Sequence, residues 1–397
     1  MKKNYCWMIV ACCFLIQAAT TGIYCNCTGL FTAQIINEFN FTNGAFSWAV
    51  TLRTLFSAFS MVLCAKFYNE KSYKKLYCFF GLLSALLWSS QILFTHIWQW
   101  YIQNILLGFC LGFIFTIPLN LVLKNWFHTR LGFVLGIAMT ASGLSGMLIN
   151  PISSNLIVNH GWRYGVTMLS CISICIIIPC VLFILKWNPG QMHLKPYQKV
   201  DTKQIQLKDV HSNPTIIYCS IIMIICLYCL IQYLNSISVY VSSLGMSVTF
   251  AGIATSALMI GNLGGKLLIG VLADIIGTFR TLIFNLISVI ISFFIFIFFK
   301  EPIFIILACF FYGTSLSLAS LAPGLVTQEC IEREKNAEIL GKMNSIGTFV
   351  GAAFYLFISY SYDIFGSFKE SFFVSIVISI IAIGFILYLK NAQKQPM

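Results

Sequence analysis

"WNPGQMHLKPYQKVDTKQIQLKDVHS", residues 187–212, is the longest polar stretch of a 397-residue chain, and it decides how the rest is read. It carries Pro189, Gly190, Pro196 and the lysines Lys195, Lys199, Lys203 and Lys208. On either side the chain is apolar: 59% of all residues are hydrophobic, only 9% are charged, and the mean hydropathy is +0.87. A soluble protein carries about a quarter charged residues. Stretches of roughly 20 apolar residues, each able to cross ~30 Å of hydrocarbon, recur throughout. Six precede the seam, at 5–30, 45–65, 76–95, 98–122, 132–156 and 165–186. Six follow it, at 213–236, 248–272, 280–299, 302–325, 337–360 and 370–389. The reading is an all-α polytopic membrane protein of 12 transmembrane helices: a six-helix bundle over 1–186, a linker over 187–212 and a second six-helix bundle over 213–397. The first stretch is too long for a signal-peptide core and has no persuasive cleavage site, so it is read as a retained helix.

The net charge of +12 raises the question of nucleic acid, and the placement of the charges answers it. With the N-terminus inside, eighteen Lys and Arg fall on the inner side, among them Lys66, Lys71, Lys74, Lys75, Lys124, Lys186 and Arg280. Only Arg163, Lys300 and Lys369 fall outside. This is the positive-inside pattern of a cell-membrane protein with both termini in the cytoplasm. The basic excess orients the chain and meets anionic headgroups, and no nucleic-acid partner is expected.

Sixteen cysteines are scattered through the spans. Cys25-x-Cys27 and Cys226-x-x-Cys229 lack a nearby His or carboxylate to complete a metal site. They read as small apolar packing residues, and no metal is expected. Nucleotide loops, paired His ligands and a Ser/His/Asp set are also missing, so the sequence calls for no cofactor and no enzyme activity. The sequons at Asn26 and Asn40 matter little, the first lying inside a span.

The two halves echo each other. "AKFYNEKSYKK" follows the second span and "GVLADIIGTFR" follows the eighth. The second copy, with Gly270, Leu272, Asp274, Gly277 and Arg280, resembles the cytoplasmic loop motif of the major facilitator superfamily, whose Asp and basic groups latch neighbouring helices. The first copy departs, with Asn69 at the Asp position and Glu70 beside it. Residues 5–48 and 123–163 are similar to the monocarboxylate transporter and oxalate:formate antiporter branch, through Trp126-Phe127, Arg130-x-Gly132, Gly136, Gly143, Pro151 and Gly161-Trp162-Arg163. The resemblance implies the major facilitator fold, alternating access and small organic anions as substrates. It also implies a substrate site near the midplane between the bundles and a gating role for Asp274, Arg280, Gly270 and Gly277.

The residues themselves point the same way. Arg53, Lys266 and Lys342 are the cations well inside the apparent spans, while the twelve acids fall outside them or, as Glu338 and Glu370, at their first two positions. Charges at membrane depth line cavities or substrate pathways, and a carboxylate substrate would suit such cations. Lys342 stands one turn after Glu338, where an i,i+4 pair would satisfy it. Arg53 precedes Lys66 by thirteen residues, so it sits ~20 Å from the inner boundary by helix rise. Lys266 precedes Asp274 by eight residues, ~12 Å up the helix and beyond the reach of a snorkelling stem. In oxalate:formate antiporters the matching eighth-span pattern carries an Arg that binds substrate carboxylate. Gly265-Lys266 and Gly270 to Asp274 fit that pattern with Lys in its place. Asn26, Gln103, Asn104, Asn150, Gln232, Tyr233 and Asn235 are the polar candidates to line a cavity. Glycines of the fifth and eighth spans, Gly136, Gly143, Gly146, Gly261, Gly264 and Gly265, are expected to permit close helix packing.

The expected function is secondary or facilitative transport of small organic anions, in the manner of an antiporter acting as a monomer. The alternative is a major facilitator exporter of lipophilic or drug-like compounds. No membrane-buried acid precedes Asp274 in the eighth span, so exchange is expected rather than proton symport.

Overall fold

A chain of apolar spans leaves the backbone only one open-ended solution in lipid, which is to satisfy its hydrogen bonds within helices. The computed structural model describes residues 5–127, 131–192, 194, 197 and 213–392. Most of the polar seam lies outside the described residues, with its four lysines, as do Arg130, Lys2, Lys3 and Lys394.

Twelve helices among the described residues are long and apolar enough to cross a membrane. They are α1 (Tyr5–Phe39), α2 (Asn43–Cys64), α3 (Tyr73–Leu93), α4 (Ile97–Trp126), α5 (Phe133–His160) and α6 (Trp162–Ile184) before the seam. After it come α7 (Pro214–Asn235), α8 (Val248–Ile276), α9 (Thr278–Phe298), α10 (Pro302–Cys330), α11 (Glu338–Phe365) and α12 (Lys369–Ala392). Several run past the hydrophobic stretch that marks them in the sequence. Acids therefore enter the helices, but only at their rims: Glu38, Asp274, Glu329, Glu338, Asp363 and Glu370 each lie within three residues of a helix end. All sixteen cysteines are free thiols.

The chain divides into two compact units, residues 1–41 with 48–205 and residues 42–47 with 206–397. In the first unit, α1 is not a plain α-helix. It widens into a π-helix over Ala18–Asn26 before resuming at Thr28. The widened stretch packs on α5, where Gly22 leaves room for the Ser145 side chain and the Ser145 hydroxyl donates to the Ala18 carbonyl at 2.9 Å. On α4, Gly108 and Gly112 lie against the α2 backbone at Arg53 and Ser57, where any Cβ would collide. Gly161 (φ 81°) breaks α5 from α6. Beyond it the Glu38 carboxylate at the end of α1 accepts from the Trp162 indole and pairs with Arg163 at 2.7 Å. The Arg163 guanidinium lies 4.5 Å from the Trp162 ring centre. The Gly-Trp-Arg piece that is family-like in the sequence is thus a clasp between α1 and α6.

The second unit is built on a buried aromatic cluster. The Tyr233 ring contacts Phe293, Phe372 and Tyr312 at centroid distances of 5.1, 5.2 and 6.2 Å. Helices α8 and α10 approach closely because Gly261 faces the Phe310 carbonyl, Gly265 faces Ser317 and Gly313 faces the Leu258 carbonyl. Gly264 and Gly136, also expected to serve packing, face open space. The tight contacts instead use Gly108, Gly112 and Gly313 as well, which the motif reading passed over. The Asp363 carboxylate accepts from the Asn43 and Gly44 amides at 3.0 and 2.6 Å.

Candidate functional site

Two cations stand at depth, one in each unit. Arg53 lies midway along α2 and is only 5% exposed. Its backbone is clamped by Gly108, and its Nη1 donates to the Thr28 hydroxyl at 3.3 Å. Thr28 follows closely on the π-helical stretch of α1, and its own hydroxyl returns to the Tyr24 carbonyl at 2.8 Å. A π-helical segment leaves carbonyls out of line with the regular α ladder and recurs at functional sites. Asn26 closes that segment and donates to the Ser142 carbonyl of α5 at 2.7 Å. The sequence marks Asn26 and Arg53 but gives no sign of the helix widening that brings Thr28 under the guanidinium.

Lys266 is half-buried in α8, between the tightly packed Gly265 and a stretch of α8 that leans outward at Leu267 and Leu268. Lys342 is a different case. Its ammonium pairs with Glu338 one turn earlier on the same helix at 2.6 Å, and both side chains are more than half exposed. Its charge is met within its own helix.

The polar candidates separate by their partners. Gln103 donates to the Leu87 carbonyl at 3.0 Å and accepts from the Asn104 amide at 2.7 Å, which ties α3 to α4. Tyr233 is enclosed in the aromatic cluster and its hydroxyl pairs with Ser375 at 2.8 Å. Gln232 donates back to the Tyr228 carbonyl at 3.0 Å, beside Gly351 of α11. Asn150 differs from all of these. It is fully buried in α5, next to Pro151, and neither atom of its amide has a hydrogen-bond partner among the described residues. The Asn235 carbonyl oxygen shares that condition. Buried polar atoms of this kind are few in native proteins and call for an explanation.

At the α8–α9 corner, Asp274 and Arg280 are both exposed, Gly277 (φ 89°) turns the chain, and Gly270 faces open space. Gly277 caps both helices in a conformation that other residues rarely adopt. For Gly270 the structure gives no steric reason.

The Major Facilitator Superfamily model matches residues 10–355. Among curated proteins, the MFS-type transporter pynF of Aspergillus niger is 23% identical over 285 residues, which is 70% of this chain and 62% of that protein. Monocarboxylate transporter 12 of Rattus norvegicus is 26% identical over 212 residues, half of this chain and 42% of that protein. The match thus spans less than two thirds of either relative. Among solved structures, the nucleoside transporter NupG superposes with a TM-score of 0.70 over 99% of this chain and 100% of that one, at 12% identity. The D-xylose-proton symporter superposes with a TM-score of 0.66 over 97% of each chain, at 14% identity. These identities speak to the fold alone. With the family model reaching from α1 into α11, the chain belongs to the Major Facilitator Superfamily of membrane transporters.

Proposed function

We propose that this transporter carries small organic anions, mono- or dicarboxylates, by alternating access. The observation that carries the reading is the buried Arg53, a cation ~20 Å along α2 from Lys66 by helix rise and seated on Thr28 beside a π-helical break. A guanidinium at that depth is costly unless it serves a polar pathway. Lys266 is its counterpart in the second unit and supplies the point charge that meets a carboxylate. The amides of Asn150, Asn26 and Gln232 are assigned to the rest of the substrate's polar head. Asp274, Arg280, Gly270 and Gly277 are assigned to the gate at the cytoplasmic ends of α8 and α9. The relatives named as monocarboxylate transporters agree with this substrate class.

A second reading, export of lipophilic or drug-like compounds, draws on pynF, which is matched over more of this chain than the monocarboxylate transporters yet bears a general transporter name. One experiment separates the two. Purified protein in liposomes is assayed for counterflow of labelled formate, lactate, pyruvate and oxalate, alongside export of a cationic dye. Exchange of at least one carboxylate is expected. Dye export without any carboxylate exchange would decide for the second reading.

A further inference from the structure

The weaker copy of the loop motif, "AKFYNEKSYKK", has no part in the transport reading, yet the structure gives it a built shape. The turn after α2 is ordered by its own side chains: the Asn69 carboxamide accepts from the Lys71 and Ser72 amides, both at 3.0 Å, and the Ser72 hydroxyl donates to the Phe67 carbonyl at 2.6 Å. Lys71, Lys74 and Lys75 of the turn and first residues of α3 line a 380 Å³ pocket together with Lys186, just past α6. Glu70, Tyr73 and Gln191 complete the lining. Glu70 is the one carboxylate there among the described residues, and its oxygens are taken up by amides, from Asn188 at 3.0 Å and Gln191 at 3.1 Å. Lys74 is held in place by the Leu182 carbonyl at 2.7 Å, which uses one of its three donors. Among the described residues, four ammonium groups against one carboxylate leave the pocket with three excess positive charges. Lysines that only mark topology would spread apart; here like charges converge on one cavity.

Exposed apolar side chains lie close to the lining lysines in sequence. Phe79 lies one turn beyond Lys75 on the same face of α3 and is 60% exposed, and Phe183 at the end of α6 is 77% exposed. The end of α6 packs against α3, which puts these exposed rings on the same helix pair as the lysines. We propose that this pocket binds the phosphate of an anionic phospholipid headgroup, with the acyl chains running over Phe79, Leu182 and Phe183. The chemistry recognised is a phosphate-centred anion. The exposed rings on the same helix pair select the lipid as its source over a soluble phosphate, and the preordered turn makes this a site rather than a diffuse basic rim.

The test uses the full-length protein purified in neutral detergent. Native mass spectrometry measures retention of phosphatidylglycerol against phosphatidylcholine, with glycerol 3-phosphate as the soluble competitor. The wild-type chain should retain phosphatidylglycerol preferentially, and glycerol 3-phosphate should not displace it. The double variant Lys74→Gln/Lys186→Gln should lose about ten- to thirtyfold in retention, at about fivefold per basic group removed. Lys74→Arg/Lys186→Arg should keep most of it, which covers the case where the Gln variant fails to fold. Lys390→Gln, a basic residue at the end of α12, should change nothing. Equal retention of both lipids, equal loss in Lys390→Gln, or displacement by glycerol 3-phosphate would each overturn the proposal.

Discussion

Lys266 is assigned to the substrate, whereas Lys342 is met within its own helix. Lys342 meets Glu338 one turn away in an exposed pair, of a kind that contributes little. Lys342→Gln should therefore leave anion exchange within about twofold of wild type, since the pair does no more than this at the surface. Lys266→Gln should abolish carboxylate binding in a protein that still inserts and runs as a single species in detergent. Lys266→Arg should keep part of it, because a guanidinium preserves the charge while changing its geometry. Ligand-induced stabilisation measured with each carboxylate in turn checks all three, and undiminished binding by Lys266→Gln would remove the residue from the site. The cations were legible in the sequence because charge inside an apolar run stands out. Their surroundings were not. Thr28 under Arg53 depends on the widening of α1 over Ala18–Asn26, and a local change of hydrogen-bond pattern leaves no periodic trace.

Helices were legible almost to the turn, since membrane spans announce themselves by length and hydropathy. Contacts between them were not. The eighth span shows three glycines that look equivalent, yet Gly261 and Gly265 abut α10 while Gly264 faces open space. Which face a glycine occupies depends on the partner helix, and in a span that is apolar all round no pattern reveals it. The difference is testable. A side chain at Gly261 must displace the Phe310 carbonyl, a backbone atom that cannot swing aside. Gly261→Val should cost about 1–3 kcal/mol as overpacking and lower the thermal unfolding midpoint in detergent. Gly264→Ala meets nothing and should be neutral or gain about 0.5–1 kcal/mol from helix propensity. Equal midpoints for the two variants would refute the assigned α8–α10 contact. The clasp of Glu38 with Trp162 and Arg163 carries the same lesson: the sequence displayed Gly161-Trp162-Arg163 but not the acid 124 residues away that it grips.

At the scale of the whole molecule the remaining issue is what drives the cycle. Proton symport through the protein needs a group that titrates within the membrane and is exposed to each side in turn. The acids of the twelve helices all lie within three residues of a helix end, away from the depth at which a proton would have to be carried across. The groups assigned to substrate at depth are a guanidinium, an ammonium and amides. A guanidinium holds its proton throughout and amides do not titrate. The expected mode is therefore exchange or facilitated movement: the anion offsets the charge of the site during the crossing, and an unloaded site, still cationic, is slow to reorient. Liposomes loaded with unlabelled substrate at equal pH on both faces should take up labelled substrate against its own gradient. Collapsing any pH difference with a proton carrier should leave that counterflow within about twofold, the scatter expected where no charge-linked step is lost. Strict dependence of counterflow on an imposed proton gradient would place a titrating group in the cycle and overturn the exchange reading.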